Sequence, residues 1–594
     1  MNTLAAVARG SRPADLVIRG ARVANVFTME YEEADVAVCG DRIAGVGRGY
    51  EGHRVLDAAG AVLVPGLIDG HVHIESSLMA PAAFADAVVV HGTTTVMADP
   101  HEIANALGLP GVRYLYLASR GLAVDVFLGA PSCVPASRFE TPRDELDMMA
   151  VREMLQEGWC THLGELMNYP ALIEGDPDVW GRVAAAGDVV LTGHAPGVSG
   201  KDLNAYLTSG VSSDHECVGL DEAREKLRRG MWVMMREGAS FPNLRVLLPL
   251  VKENPFLATR CMVVTDDATA RYIRDTGHMD AKLRIMIEEE VDPLLALRMT
   301  TLSPADYFRL WDRGAIAPGR RADLVLVDDL ASFNVKHVWK DGRAVVQDGV
   351  AVKGAQARSI PLPHAVQTMP LTEEQLRVPA GGETMNVIEM QPGEIITGSR
   401  RMPPLVSEGN AVPDPSRDLA KIVVLERHHG TGRFAVGFVT GFGMQRGAIA
   451  SSVAHDAHNF VAVGMDDRSI ATALRRLCET GGGLVLAEEE AVRGSLPLPI
   501  GGLMTYLDAK SVARALEDLE RGAEQLGVQL PHPFMALSFL CLSVVPNLRI
   551  TDQGYVDIMR GGVQPLFPEG GRAPQQGDAT AVPNSISLEG VSLS

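Results

Sequence analysis

The chain has 594 residues, a formal net charge of -20, 46% hydrophobic residues and 22% charged residues, a length and balance that suit two or three soluble domains with ample core. The acidic excess excludes sequence-independent binding to nucleic acid or anionic lipid, because phosphate contacts need a basic face, and no apolar run is long enough for a membrane span. Seven cysteines are scattered with no CxxC pair, which argues against a disulfide framework or a thiolate zinc site and for a reducing compartment. The opening MNTLAAVARGSRPADLVIRG carries an Arg inside its short apolar stretch and is not expected to be a secretory signal, so a cytoplasmic protein is expected.

In chain order, residues 14–65 alternate apolar and polar positions with Gly and Asp at the breaks, the pattern of short antiparallel strands. The same texture returns near 315–353, so residues 1–65 with 312–355 are expected to build one composite β-sandwich around an inserted domain at 66–311. In that insert, short apolar runs alternate with helix-length amphipathic stretches. The runs are GLIDGHVH (66–73), TTTVMADP (93–100), VDVFLGAP (124–131), THLGEL (161–166), DVVLTGH (188–194), VSSDH (211–215), MWVMMRE (231–237) and CMVVTDD (261–267). Eight βα units point to an α/β fold, a (β/α)8 TIM-like barrel. A doubly wound open sheet is the competitor, but no GxGxxG follows the first run and the polar residues sit on many different strand ends. Residues 356–385, rich in Pro, Gly and Gln, read as a linker; 386–567 as an α+β C-terminal domain; and 568–594, which lacks periodicity, as a mobile tail.

Several runs end in His, Glu or Asp, at the rim where a barrel builds its active site. His71 and His73 form an HxH whose side chains share one strand face. Glu165, His194, His215 and Asp266 end the fourth, fifth, sixth and eighth runs. Four imidazoles and two carboxylates suit two divalent cations: His71, His73 and Asp266 on one, His194 and His215 on the other, Glu165 bridging. Nitrogen and oxygen ligands without thiolate fit zinc, manganese or iron. A lone HxH is more often structural, and a lone strand-end His or Asp more often bonds a loop; six such residues on five strand ends outweigh that reading. Asp99, His101 and Glu102 end the second run on the same rim. They are read either as an additional metal or proton-transfer site, or as a loop site in which Asp99 and Glu102 start the next helix near its N-terminal dipole.

At PGLIDGHVH and IAPGRRADLVLVD the chain resembles the amidohydrolase superfamily. Through HVHIESSLMAP, ADPHEIAN, GELMNYP, LTGHAPG, SSDHEC and TDD, then GFGMQRGAIASSVAHDAHNFVAVGMDD and LPLPIGGLM, it resembles more closely the adenine deaminase family, over nearly the whole chain. That resemblance implies hydrolysis of adenine to hypoxanthine and ammonia by a metal-activated hydroxide attacking C6, with two divalent ions per subunit, manganese or iron before zinc. Adenine is then the partner, and a homodimer is the default assembly. Asp266 is the first choice for the proton shuttle, with Glu102 and Glu216 as weaker candidates; alternation along the strand points Glu216 away from the metals. His455, Asp456 and His458 are candidates for closing the site, against a loop held by its own hydrogen bonds. The family pattern places an Arg after the two aspartates where this chain has Ala268. The alternatives are a superfamily hydrolase acting on another purine or cyclic amide and, less favoured because all six ligands are intact, a silent scaffold.

Overall fold

The computed structural model describes residues 3–352, 360–391, 396–545 and 547–568. Most of the segment read as a tail, 569–594, lies outside them.

The eight apolar runs each carry a strand: β1 Leu67–His73, β2 Thr93–Ala98, β3 Asp125–Ala130, β4 Cys160–Leu166, β5 Leu191–Gly193, β6 Ser213–Asp214, β7 Trp232–Arg236 and β8 Cys261–Val264. β1 to β5 pair in parallel order. A parallel bridge between Leu191 and Val211 joins β5 to the β6–β7–β8 set, and Asp266 and Asp267 pair with Val72 and His73 of β1. The ring is thereby closed. β1, β2 and β8 are buried along their whole length, which is why they read as continuous apolar runs, with a packed barrel interior on one side and helices on the other.

Buried polar ties fix the ring where it bears on the site. Asp69 of β1 accepts from the Thr265 amide at 3.1 Å and its hydroxyl at 2.5 Å, clamping β1 to the end of β8. The Tyr206 hydroxyl accepts from the His194 amide and donates to the Leu166 carbonyl, both at 3.1 Å, clamping β4 to β5.

Strands from both flanks join in one nine-stranded sheet, because Leu324–Val327 runs antiparallel to Val62–Pro65. Beyond the barrel, an eight-stranded, largely antiparallel sheet packs helices Asp467–Thr480 and Ala509–Gln525; the second helix is capped by Asp508, which accepts from the Ser511 amide at 2.8 Å. The stretch expected as a linker is only partly one. Within 360–385, Leu371 and Leu376 are buried against Leu425, Phe460 and Leu474 of this sheet, and the Gln367 amide donates to the Arg427 carbonyl at 2.8 Å. Pro and Gly reported the scarcity of regular structure there, where a strand covers only Val378–Pro379 before Met385, not the absence of burial.

The C-terminal part and the barrel share one continuous core, in which Met79, Ile103 and Leu107 belong with Ile449, Leu498 and Met504. Thr505 exchanges backbone hydrogen bonds with Leu78 and Ala80 at 2.8 and 2.9 Å, and Arg271 and Arg274 pair with Glu520 and Glu517 at 2.6 and 2.5 Å. The C-terminal sheet is therefore seated against the barrel mouth by core-like packing. Among the described residues no helix is long and apolar enough to cross a membrane.

Candidate metal centre and its interdomain wall

The six strand-end residues converge. Glu165 Oε1 lies 3.7 Å from His71 Nε2 and 3.3 Å from His73 Nε2, while Oε2 lies 2.8 Å from His194 Nδ1 and 3.3 Å from His215 Nε2. Each oxygen thus faces a different histidine pair, the disposition a bridging carboxylate needs. Asp266 Oδ1 stands 3.3 and 3.1 Å from His71 Nε2 and His73 Nε2. It reaches them from a backbone in the left-handed region, φ 60°, which an aspartate tolerates better than most residues.

The donor set fits cations rather than a self-contained polar cluster. His71 Nε2 is buried with no hydrogen-bond partner, an arrangement that costs free energy unless something binds it. His73 Nδ1 lies 3.1 Å from the Asp99 carbonyl, the outer-shell contact that turns the Nε2 lone pair of a ligating histidine toward its metal. Burial alone would raise the Glu165 carboxyl, but the surrounding imidazoles, His215 foremost, hold it well below the usual range. Burial would likewise raise Asp266, and Arg236 with His71 and His73 holds it low. Both carboxylates are kept ionised, as ligands must be.

Asp99 orients Glu165: its Oδ2 accepts the Glu165 amide at 2.7 Å. That approach requires Gly164, since a Cβ there would stand 2.5 Å from the same oxygen. Asp99 also lies 3.2 Å from His101 Nδ1. Glu102 does start the helix His101–Leu107, yet its carboxylate is taken by the C-terminal domain: His455 Nδ1 lies 2.8 Å from Oε1, and His458 Nε2 contacts Oε2. His455 and His458 therefore do reach over the barrel mouth, to Glu102.

Glu216 does not point away. Its carboxylate is bound by Arg236 and its Oε1 lies 3.4 Å from His215 Nε2. The expectation failed because β6 ends at Asp214, so strand alternation no longer governs the residues after it. Arg236 itself, the last residue of β7, was missed; its Nη1 also donates to Asp266 Oδ2 at 2.8 Å. Ala268 is fully buried, so the guanidinium beside Asp266 comes from β7.

His215 is backed by a buried ion pair. Lys226 Nζ donates to Asp214 Oδ2 at 2.9 Å, to Glu222 Oε1 at 2.6 Å and to the Ala195 carbonyl at 2.6 Å, and Asp214 Oδ1 accepts the Ala195 amide at 2.7 Å. The network ties the His194 and His215 strand ends together. Replacing Lys226 with Met leaves Asp214 buried without its cation and is expected to destabilise the fold by about 3–5 kcal/mol. Urea denaturation measures this; a loss under about 1 kcal/mol would show that Asp214 is satisfied without the lysine.

A cavity of about 440 Å³ opens at the seam between barrel and C-terminal domain, lined among others by Ser76, Ala239, Asp267, His455, Phe534 and Phe539. None of the six candidate ligands lines it, but Asp267 follows Asp266 and His455 touches Glu102, so it meets the rim of the metal centre. Ser76 and Ser240 donate to the two oxygens of Asp267 at 2.5 and 2.6 Å, and Phe539 stacks on His455 with ring centroids 4.9 Å apart.

Two family models match the chain: the amidohydrolase family over residues 62–345 and the adenine deaminase C-terminal domain over 394–561. The chain is 44% identical over 560 residues to an adenine deaminase of Dehalococcoides mccartyi, covering 94% of this chain and 98% of that protein. This chain belongs to the adenine deaminase family. An adenine deaminase of Kosmotoga olearia is 42% identical with the same coverage, and one of Methanothrix thermoacetophila is 40% identical, covering 95% and 99%. Within this adenine deaminase family member, the two matched models meet where the cavity and the Glu102 contacts lie.

Proposed function

We propose that the protein hydrolyses adenine to hypoxanthine and ammonia at the barrel rim. The observation that carries the reading is the Glu165 carboxylate with one oxygen toward His71 and His73 and the other toward His194 and His215. His71, His73 and Asp266 would hold one divalent cation, His194 and His215 the other, with Glu165 shared; manganese or iron suits the set. When bound, such ions lower the pKa of a water enough to make it a nucleophile at neutral pH.

The chain's own residues supply binding and proton movement. Asp266 would take one proton from the attacking water and deliver it to a ring nitrogen, where it stays in hypoxanthine, and would then carry the second from the oxygen on C6 to the exocyclic amine, which leaves as ammonia. Arg236 fixes Asp266 through Oδ2, leaving Oδ1 on the metal side. Glu216 is held by Arg236 and Glu102 by two histidines, so both serve better as positioning groups than as mobile acids. The seam cavity admits the purine between apolar Phe534 and Phe539 and the Asp267 carboxylate, an acceptor for a ring N–H.

We further read the nine-stranded sheet as a sandwich rolled around Leu16, Ile18, Val36, Leu63, Leu324 and Trp339, the domain limits as those expected from the sequence except that 360–385 goes with the C-terminal domain on which it packs, and the working enzyme as a cytoplasmic homodimer. A substrate panel tests the reading. Metal-loaded protein should release ammonia from adenine and not from adenosine, guanine, cytosine or dihydroorotate; turnover of dihydroorotate or guanine with adenine untouched would replace the substrate while leaving the metal centre standing.

A further inference from the structure

The reaction outlined above uses six ligands, Arg236 and the cavity, and leaves a second buried cluster at the seam unexplained. We propose that His101, Glu102, His455 and Asp456 form a third divalent-cation site, adjoining the six-residue centre on its His73 side and shared between the barrel and the C-terminal domain.

Glu102 Oε1 is the hub: His455 Nδ1 lies 2.8 Å from it and His101 Nε2 3.6 Å. Asp456 Oδ1 stands 3.8 Å from His455 Nδ1. Ligands about 2.0–2.2 Å from one ion stand roughly 3–3.6 Å apart, close to these separations. Glu102, His101 and Asp456 are each at least 96% buried, and Asp456 Oδ2 has no hydrogen-bond partner. A buried carboxylate with an unpartnered oxygen is costly, and a cation held through Oδ1 would offset that cost.

The outer contacts have the form that metal sites use. Asp99 Oδ1, 3.2 Å from His101 Nδ1, draws the ring proton to that side and leaves the Nε2 lone pair facing Glu102. His458 is a holder and not a ligand. Its Nδ1 accepts the Ala454 amide at 3.1 Å, so its Nε2 carries the proton and donates to Glu102 Oε2, fixing the carboxylate with Oε1 toward the other three groups. Two imidazoles and two carboxylates without thiolate suit manganese, iron or zinc. Because the ligands come from two domains, the ion would pin the C-terminal domain over the barrel mouth beside the bridging Glu165, whose Oε1 lies 3.6 Å from His101 Nδ1.

The test is metal content and location in the full chain, read without reference to turnover. The protein is saturated with manganese, desalted, counted by mass spectrometry and crystallised for anomalous scattering. The expected result is about three ions per chain, with a third peak among His101, Glu102, His455 and Asp456, falling to about two in Asp456→Asn and in His455→Ala while the peaks at Glu165 persist. The near-isosteric Asp456→Asn keeps the test valid should His455→Ala fold poorly. A saturated wild type with ions only at the Glu165 centre overturns the proposal, as does a third ion retained in both variants.

Discussion

Glu165→Gln is expected to lower kcat/KM for adenine by at least about 10³-fold, a loss of roughly 4 kcal/mol in transition-state stabilisation. The substitution preserves shape, and the backbone ties of this position, the amide to Asp99 and the carbonyl to Ser132 Oγ at 2.6 Å, do not involve the side chain. What changes is one oxygen and the charge. An amide presents one carbonyl oxygen in place of two equivalent carboxylate oxygens, so one histidine pair loses its anionic partner, and the count of bound metal should fall with activity. A Glu165→Gln enzyme that keeps its metals and works within about tenfold of the parent would remove the bridge from the account.

Asp266→Asn tests the proton step. Arg236 retains its Glu216 partner in the variant, and the amide oxygen can still face His71 and His73, so folding and much of the metal binding should persist. The side chain can no longer accept a proton. An expected fall in kcat of about 10²–10⁴-fold with little change in KM follows, the usual worth of a positioned acid–base group. A rise in KM at unchanged kcat would instead make Asp266 a substrate-binding group.

The barrel and the six convergent residues were legible because strand periodicity is short-range: HxH places two imidazoles on one face whatever the rest of the chain does, and each run ends within three residues of the end of its strand. Arg236 was not legible, since the Arg-Glu pair that closes MWVMMRE has the look of a solvated strand end, and only the ring shows that Arg236 turns inward to Asp266 and Glu216. Glu216 was misplaced because a two-residue strand is too short to project alternation past its end. The double grip on Glu102 depends on residues more than 350 positions away, with separations of 353 and 356 along the chain, and no local pattern encodes such a meeting. The fully buried Lys226 beneath His215 was hidden in the same way by a helix, Leu220–Arg228, in which six of the nine residues are charged.

The most direct measurement follows adenine absorbance and ammonia together, in manganese-loaded protein, in the same protein after exhaustive chelation, and after reloading. The account predicts one ammonia released per adenine consumed, turnover abolished by chelation, and turnover restored by the metal. Loss of adenine at an undiminished rate in fully chelated protein, or intact adenine in protein shown to carry its metals, would contradict it.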